Sequence, residues 1–322
     1  MTIKSLLENQ PEVIKFLKNS HDSKYLSHAY LFDGPDGSGK YEAAIYTSMM
    51  LLCNSDDRPC QRCNNCIKVE KGTHLNVMVV EPTNDLIKKE QVEDLIHELS
   101  MTSLEKGAQI AIIKGADKMN PAASNALLKI LEEPAPNHYI FLLTSQINKL
   151  LPTIISRAQV IRFKPLPRKY IMESLKENGV EKDISYVLSY ITNDLEEAKE
   201  MIALGKAYNV LSVAKAVESA IAKGKDPFGY FYKSAKDLKA ETDKRWHRIF
   251  LDILLLINKE IINYYNNKKL EYFTDIIELY NNEIKLDKVL HKIDVINKYQ
   301  ERLNYNINLN LFYASLMVEI NK

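Results

Sequence analysis

The sequence predicts an α/β chain, with a parallel sheet covered on both faces by helices and an all-helical remainder. Three observations predict it. Short apolar runs at 29–32, 77–80, 110–113 and 139–143 lack polar alternation and are spaced by helical stretches, as in strands buried on both faces. A glycine-rich loop follows the first run directly. Beyond Phe163-Lys164-Pro165-Leu166-Pro167, where the prolines block a continuing helix or strand, the chain reads as helices only.

Taken in order, Ala29-Tyr30-Leu31-Phe32 is the first strand and Tyr41 to Cys53 has helical character. Val77-Met78-Val79-Val80 is the second strand, with a helix from Lys89 to Leu99. Ile110-Ala111-Ile112-Ile113 is the third, followed by a helix from Asn120 to Leu131, and Tyr139 to Leu143 is the fourth. Residues 168–205 read as a small helical unit, and helices continue from about 206 onward. There Trp246, Ile249, Phe250, Ile253, Leu254 and Ile257 share one helical face, the pattern of a core or a subunit interface. At ~100–200 residues per domain, the length of 322 predicts two or three domains.

Hydrophobic residues make up 46% and charged residues 26%, an ordinary globular balance. A formal net charge of +1 excludes a global polycation, so DNA contact requires a local patch or partners. The most apolar window, Ile253 to Ile257, falls far short of the ~20 residues that span a bilayer. Lys4, Glu8, Glu12 and Lys15 interrupt any signal-peptide core. The expectation is a cytoplasmic protein with no membrane role.

Gly34-Pro35-Asp36-Gly37-Ser38-Gly39-Lys40 fits the first seven positions of the phosphate-loop pattern, after a strand and before a helix. Backbone N–H groups of such a loop cradle phosphates, and Lys40 would neutralise their oxygens. The final position is Tyr41, where a small hydroxyl would ligate Mg²⁺. The loop can thus hold ATP or ADP phosphates without supporting metal-assisted hydrolysis.

The four cysteines form Cys53-x₆-Cys60-x₂-Cys63-x₂-Cys66. Clustering without a secretory signal favours metal over disulfides. Iron–sulfur motifs of this start continue to a further cysteine, and that position is Glu70. Four thiolates suit one tetrahedral, structural zinc with no open position for catalysis.

Ala122-Ala123-Ser124-Asn125-Ala126-Leu127-Leu128-Lys129-Ile130-Leu131-Glu132-Glu133-Pro134, Phe141-Leu142-Leu143-Thr144-Ser145 and Ile155-Ser156-Arg157 make a family resemblance specific. With Ser27 to Phe32 and the cysteine knot, they resemble the core of bacterial clamp-loader ATPases over residues 27–167. The resemblance implies a RecA-like AAA+ P-loop core at 1–165 with the zinc knot at 53–66, a helical lid at 166–205 and a helical collar for oligomerisation at 206–322. Where the family's motors carry Asp-Glu after the third strand, this chain has Lys114 and Gly115. Lys114 replaces a metal ligand, and Gly115 leaves no side chain to act on water. Asp117 stands three positions on, and Glu196 aligns with the lid arginine that senses phosphate.

These departures are similar to those of the delta-prime subunits of DNA polymerase III, which the resemblance makes non-hydrolysing stators. Ser156-Arg157 matches the family's Ser-Arg-Cys motif, with Ala158 in place of cysteine. The resemblance makes Arg157 an arginine finger for a neighbour's ATP site. It implies tau/gamma motor and delta partners, the sliding clamp indirectly, and primed DNA through the complex. The subunit would be non-catalytic within a DNA-directed DNA polymerase holoenzyme. Lys88-Lys89 beside Gln91 is a candidate contact to DNA phosphate. The alternatives are an ATP-hydrolysing tau/gamma motor, or a non-enzymatic zinc-containing DNA-binding module.

Overall fold

Five parallel strands form one sheet: β1 (Ala29–Asp33), β2 (Val77–Val80), β3 (Gln109–Ile113), β4 (His138–Thr144) and β5 (Gln159–Arg162). Their order is β2-β3-β4-β1-β5, so β1 lies between β4 and β5. Leu31 stands opposite Leu142 on one side and Val160 on the other. The computed structural model describes residues 3–100, 107–280 and 285–322, which divide into two units at Pro167/Arg168.

The helices of the first unit are α1 (Ile3–Asn9), α2 (Pro11–Asp22), α3 (Lys40–Leu52), α4 (Asn64–Glu70), α5 (Lys89–Ser100), α6 (Pro121–Glu132) and α7 (Pro152–Ile155). Successive strand side chains point to opposite faces. Tyr30, Phe32, Ile110, Ile112, Phe141 and Leu143 therefore meet Leu6, Leu17, Ala43 and Met49 of α1, α2 and α3. On the opposite face Leu31, Ala111, Ile113 and Leu142 meet Val92, Leu95, Ala123 and Leu127 of α5 and α6. Both faces are covered, which is why the runs showed no alternation. β5 escaped the sequence reading because only Ile161 of its four residues is buried. Helices α1 and α2 carry no sequence motif.

The second unit holds α8 (Arg168–Glu177), α9 (Lys182–Ile191), α10 (Leu195–Ala203), α11 (Lys206–Ala222), α12 (Pro227–Ser234), α13 (Lys236–Ala240), α14 (Lys244–Tyr265), α15 (Thr274–Ile277), α16 (Leu286–Arg302) and α17 (Leu309–Ile320). The apolar face read from Trp246 to Ile257 is core: all six side chains on α14 are buried. Among them Asn258 donates to Glu218, which also pairs with buried Lys292 at 2.7 Å. No described helix is long and apolar enough to cross a membrane.

Candidate functional site

Residues 34–39 leave the carboxyl end of β1 and enter α3, the place where parallel α/β sheets present ligands. Gly37 and Gly39 have φ of +71° and +92°, a backbone region glycine adopts without steric cost. At Gly34 the requirement is space. An added Cβ would lie 2.7 Å from Phe163 O and 2.8 Å from Phe163 Cβ, on the chain leaving β5. The Lys40 ammonium turns into the loop and donates to Gly34 O and Pro35 O, both at 2.6 Å. Buried Gln10 ties the loop from outside, donating to Ser38 O at 3.0 Å and Lys164 O at 2.6 Å.

The two positions where the motor pattern holds metal face each other. The Lys114 ammonium lies 3.7 Å from the centroid of the Tyr41 ring and pairs with Glu81. A cation on an aromatic face is attractive, and Glu81 anchors its other side. Gly115, at φ +60°, caps a short turn and offers no side chain. Asp117 accepts from Thr144 Oγ1 at 2.7 Å and from Ser145 N at 3.3 Å, so its carboxylate is engaged at the end of β4. In the second unit Glu196 pairs with Lys199 at 2.8 Å, and that contact holds its carboxyl below the usual range.

At the far end of α3, Cys53 caps the helix by donating its N–H to Met49 O. The Sγ atoms of Cys53, Cys60, Cys63 and Cys66 all lie within 4.8 Å of one another. Cys53 and Cys63 are 3.9 Å apart, close to the ~3.8 Å edge of a tetrahedron with ~2.3 Å zinc–sulfur bonds. Backbone N–H groups point at the sulfurs: Cys60 N at Cys53, Cys63 N at Cys60 and Cys66 N at Cys63, at 3.3–3.5 Å. The Cys66 N–H above all lowers the Cys63 thiol to about 6, and the Arg62 N–H foremost lowers Cys60. Burial pushes the Cys66 thiol up, a direction that a divalent cation among the sulfurs would reverse. Soft thiolate donors in this arrangement fit zinc.

Ser156 and Arg157 follow α7. The Arg157 guanidinium pairs with Glu132 of α6 at 2.8 Å and donates to Thr153 O at 3.0 Å and Ser156 Oγ at 3.4 Å. Its side chain remains 35% exposed, held at the surface by its own chain. Lys89 pairs with Glu93 at 2.9 Å, and Gln91 accepts from Lys88 N while donating to Glu81 O. Gln91 is thus engaged in starting α5. Gln10 and Glu81 escaped the sequence reading, since each lies far along the chain from its partner and no short pattern marks it; Glu132 lies in the Ala122 to Pro134 segment, but its pairing with Arg157 is visible only in the structure.

A family model described as "DNA polymerase III, delta subunit" matches residues 9–167. Bacillus subtilis DNA polymerase III subunit delta-prime is 34% identical over 95% of this chain and 94% of its own. The Pseudomonas aeruginosa delta-prime subunit is 38% identical over 44% of each chain. Bacillus subtilis DNA polymerase III subunit tau is 25% identical over 97% of this chain and 60% of its own.

Proposed function

The chain belongs to the DNA polymerase III delta-prime family, and on that premise we propose how it works in the clamp loader of DNA replication. It joins the tau/gamma motor and delta subunits and completes the ring that places the sliding clamp on primed DNA. It does so as a stator with no hydrolysis of its own. The observation that carries this is Lys114 on Tyr41: an ammonium and a phenol stand where a carboxylate and a small hydroxyl would hold Mg²⁺. Gly115 adds the loss of a group to orient water, and general-base loss alone costs ~10²–10⁴ in rate. Gly34, Gly37, Gly39 and Lys40 keep the shape of a phosphate cradle, in which ATP or ADP binding is compatible with the role and not required by it.

Cys53, Cys60, Cys63 and Cys66 would hold one zinc, whose contribution is to fold the loop between them. The working division is an AAA+ core at 1–165, a lid at 166–205 and a collar at 206–322, in the cytoplasm. Arg157 acts outward. It exchanges Glu132 for the phosphate oxygens of a neighbour's ATP, where a planar guanidinium offers two donors.

The test is a reconstituted loader carrying Arg157→Ala beside the isolated chain. The isolated chain should show no turnover. The variant loader should assemble, lose DNA-stimulated hydrolysis at one site by about 10³-fold or more, and load clamps worse than its total ATPase suggests. Arg157→Lys should rescue poorly. Motor-like turnover by the isolated chain, abolished by Lys40→Ala, would sink the stator reading; normal clamp loading by Arg157→Ala would sink the finger.

A further inference from the structure

In the second unit, the ends of α11 and α17 and the first half of α16 surround a cavity of ≈ 720 Å³. Lys223, Lys285, Lys288, Lys292 and Lys322 line it, and no carboxylate side chain does so among the described residues. In a chain whose net charge is only +1, that is a local excess of cations. Lys292 is buried, with its ammonium 2.7 Å from Glu218 and 3.1 Å from Tyr280 Oη. Glu218 also accepts from Tyr280 Oη at 2.7 Å and from Asn258 at 2.5 Å, so its carboxylate is committed inside the core. An ammonium has three donors, two of which these contacts use.

The Lys292–Glu218 pair cancels its own charge and leaves the other four lysines unmatched. Among the described residues, none of Lys223, Lys285, Lys288 and Lys322 forms an ion pair with a carboxylate. Two of them also oppose their own helix. Lys285 is the N-cap of α16, with no side-chain cap hydrogen bond, and Lys288 lies in the first turn. That is the end where the helix dipole favours anions. Asp287 shares the turn but does not line the cavity. Folding gains nothing from gathering these ammonium groups. Charge placed against its own element points to a role other than folding.

We propose that this cavity binds a short polyphosphate anion, two or three linked phosphates, held by Lys223, Lys285, Lys288 and Lys322, with Lys292 at its buried wall. Lysine binds phosphate as a point charge on a flexible stem. A single phosphate carries only about −1.5 to −2 at neutral pH and would leave much of the lysine charge unmatched. A linked pair or triple comes closer. The cavity volume falls in the ~300–1,000 Å³ range of small-molecule sites, which suits a free anion. A nucleic-acid strand calls for an open groove with stacking rings, and lysine is depleted in protein interfaces. The proposal stands apart from the stator reading and survives its failure.

The test is calorimetric titration of the full chain with inorganic pyrophosphate and triphosphate, without divalent cations and over a salt series. Each should bind with one equivalent, more weakly as salt rises, and orthophosphate should bind about tenfold more weakly or worse. Lys285→Gln with Lys288→Gln should lower affinity about tenfold or more, as expected for lost charge-assisted hydrogen bonds. Lys223→Gln with Lys322→Gln should do the same, and all four positions are exposed, so these variants keep the fold. Lys40→Ala, at the phosphate loop, and Lys225→Gln with Lys233→Gln, outside the cavity, should bind as the wild type does. Absent binding, or binding that both cavity variants leave unchanged, would overturn the proposal. Loss in Lys40→Ala alone would return the anion to the phosphate loop, and equal loss in Lys225→Gln with Lys233→Gln would reduce it to diffuse attraction. An oligothymidylate that displaces triphosphate at equal concentration would assign the cavity to a strand backbone instead.

Discussion

The two ends of α3 carry two motifs built on opposite terms. At its start the phosphate loop keeps its backbone, while its chemistry is filled by the chain's own groups: Lys40 on the loop carbonyls, Lys114 on Tyr41. Just past its end the cysteine knot has all four side chains converging within 4.8 Å. A glycine pattern can persist because packing demands it, as Phe163 does of Gly34. A ligand set has no such second reason to exist. Intact backbone is therefore weak support for catalysis, and a complete set of converging side chains is strong support for metal.

The largest expected effect is at the knot. Purified protein should carry close to one equivalent of zinc by elemental analysis, and Cys63→Ala should carry none. Apparent binding energies of ~10–16 kcal/mol for small structural zinc sites make that loss enough to unfold the loop and α4. Hydrogen exchange should rise across 53–70 and stay low in the sheet. A folded metal-free protein with four titratable thiols would remove the contrast altogether.

A middle-sized effect is expected at Gly34. Gly34→Ala forces a methyl against backbone of Phe163, and overpacking of this kind costs about 1–3 kcal/mol. Its unfolding free energy should fall by that amount, read as a lower denaturation midpoint. A wild-type midpoint would mean that the loop's shape is not held by packing.

The smallest effect sharpens the comparison most. Tyr41→Thr with Lys114→Asp restores the metal-side residue types and removes an ion pair to Glu81 and a cation–π contact, together worth about 1–2 kcal/mol, along with part of the Tyr41 ring's packing on the core. Stability should fall modestly, and the isolated chain should remain without turnover because Gly115 still supplies no group for water. ATP hydrolysis by that double variant would show that the loop lacks only its metal ligands.

Much of this was legible beforehand, for reasons particular to each element. The first four strands announced themselves because a parallel sheet covered on both faces needs apolar residues at every position; β5, with Ile161 alone buried, could not. The helix read from Asn120 to Leu131 is α6, and the structure shows Asn120 just before it as its cap, accepting from Ala123 N. The α14 stripe was visible as a helical face, yet spacing alone left its partner open. That it is core follows from the helices packed on it.

What the sequence by itself determined is therefore what short-range physics dictates: the strand and helix periods, the turn glycines, and the cysteine spacing that lets thiolates converge on one point. What only the tertiary structure decided is which distant group completes each site. Gln10 reaches Ser38, Glu81 anchors Lys114 above Tyr41, and Glu132 holds Arg157. Phe163 closes on Gly34 in the same way. Each partner is placed by how strands and helices pack rather than by a local pattern. Side chains act over a few ångströms of space, and chain distance carries no record of which ones will meet.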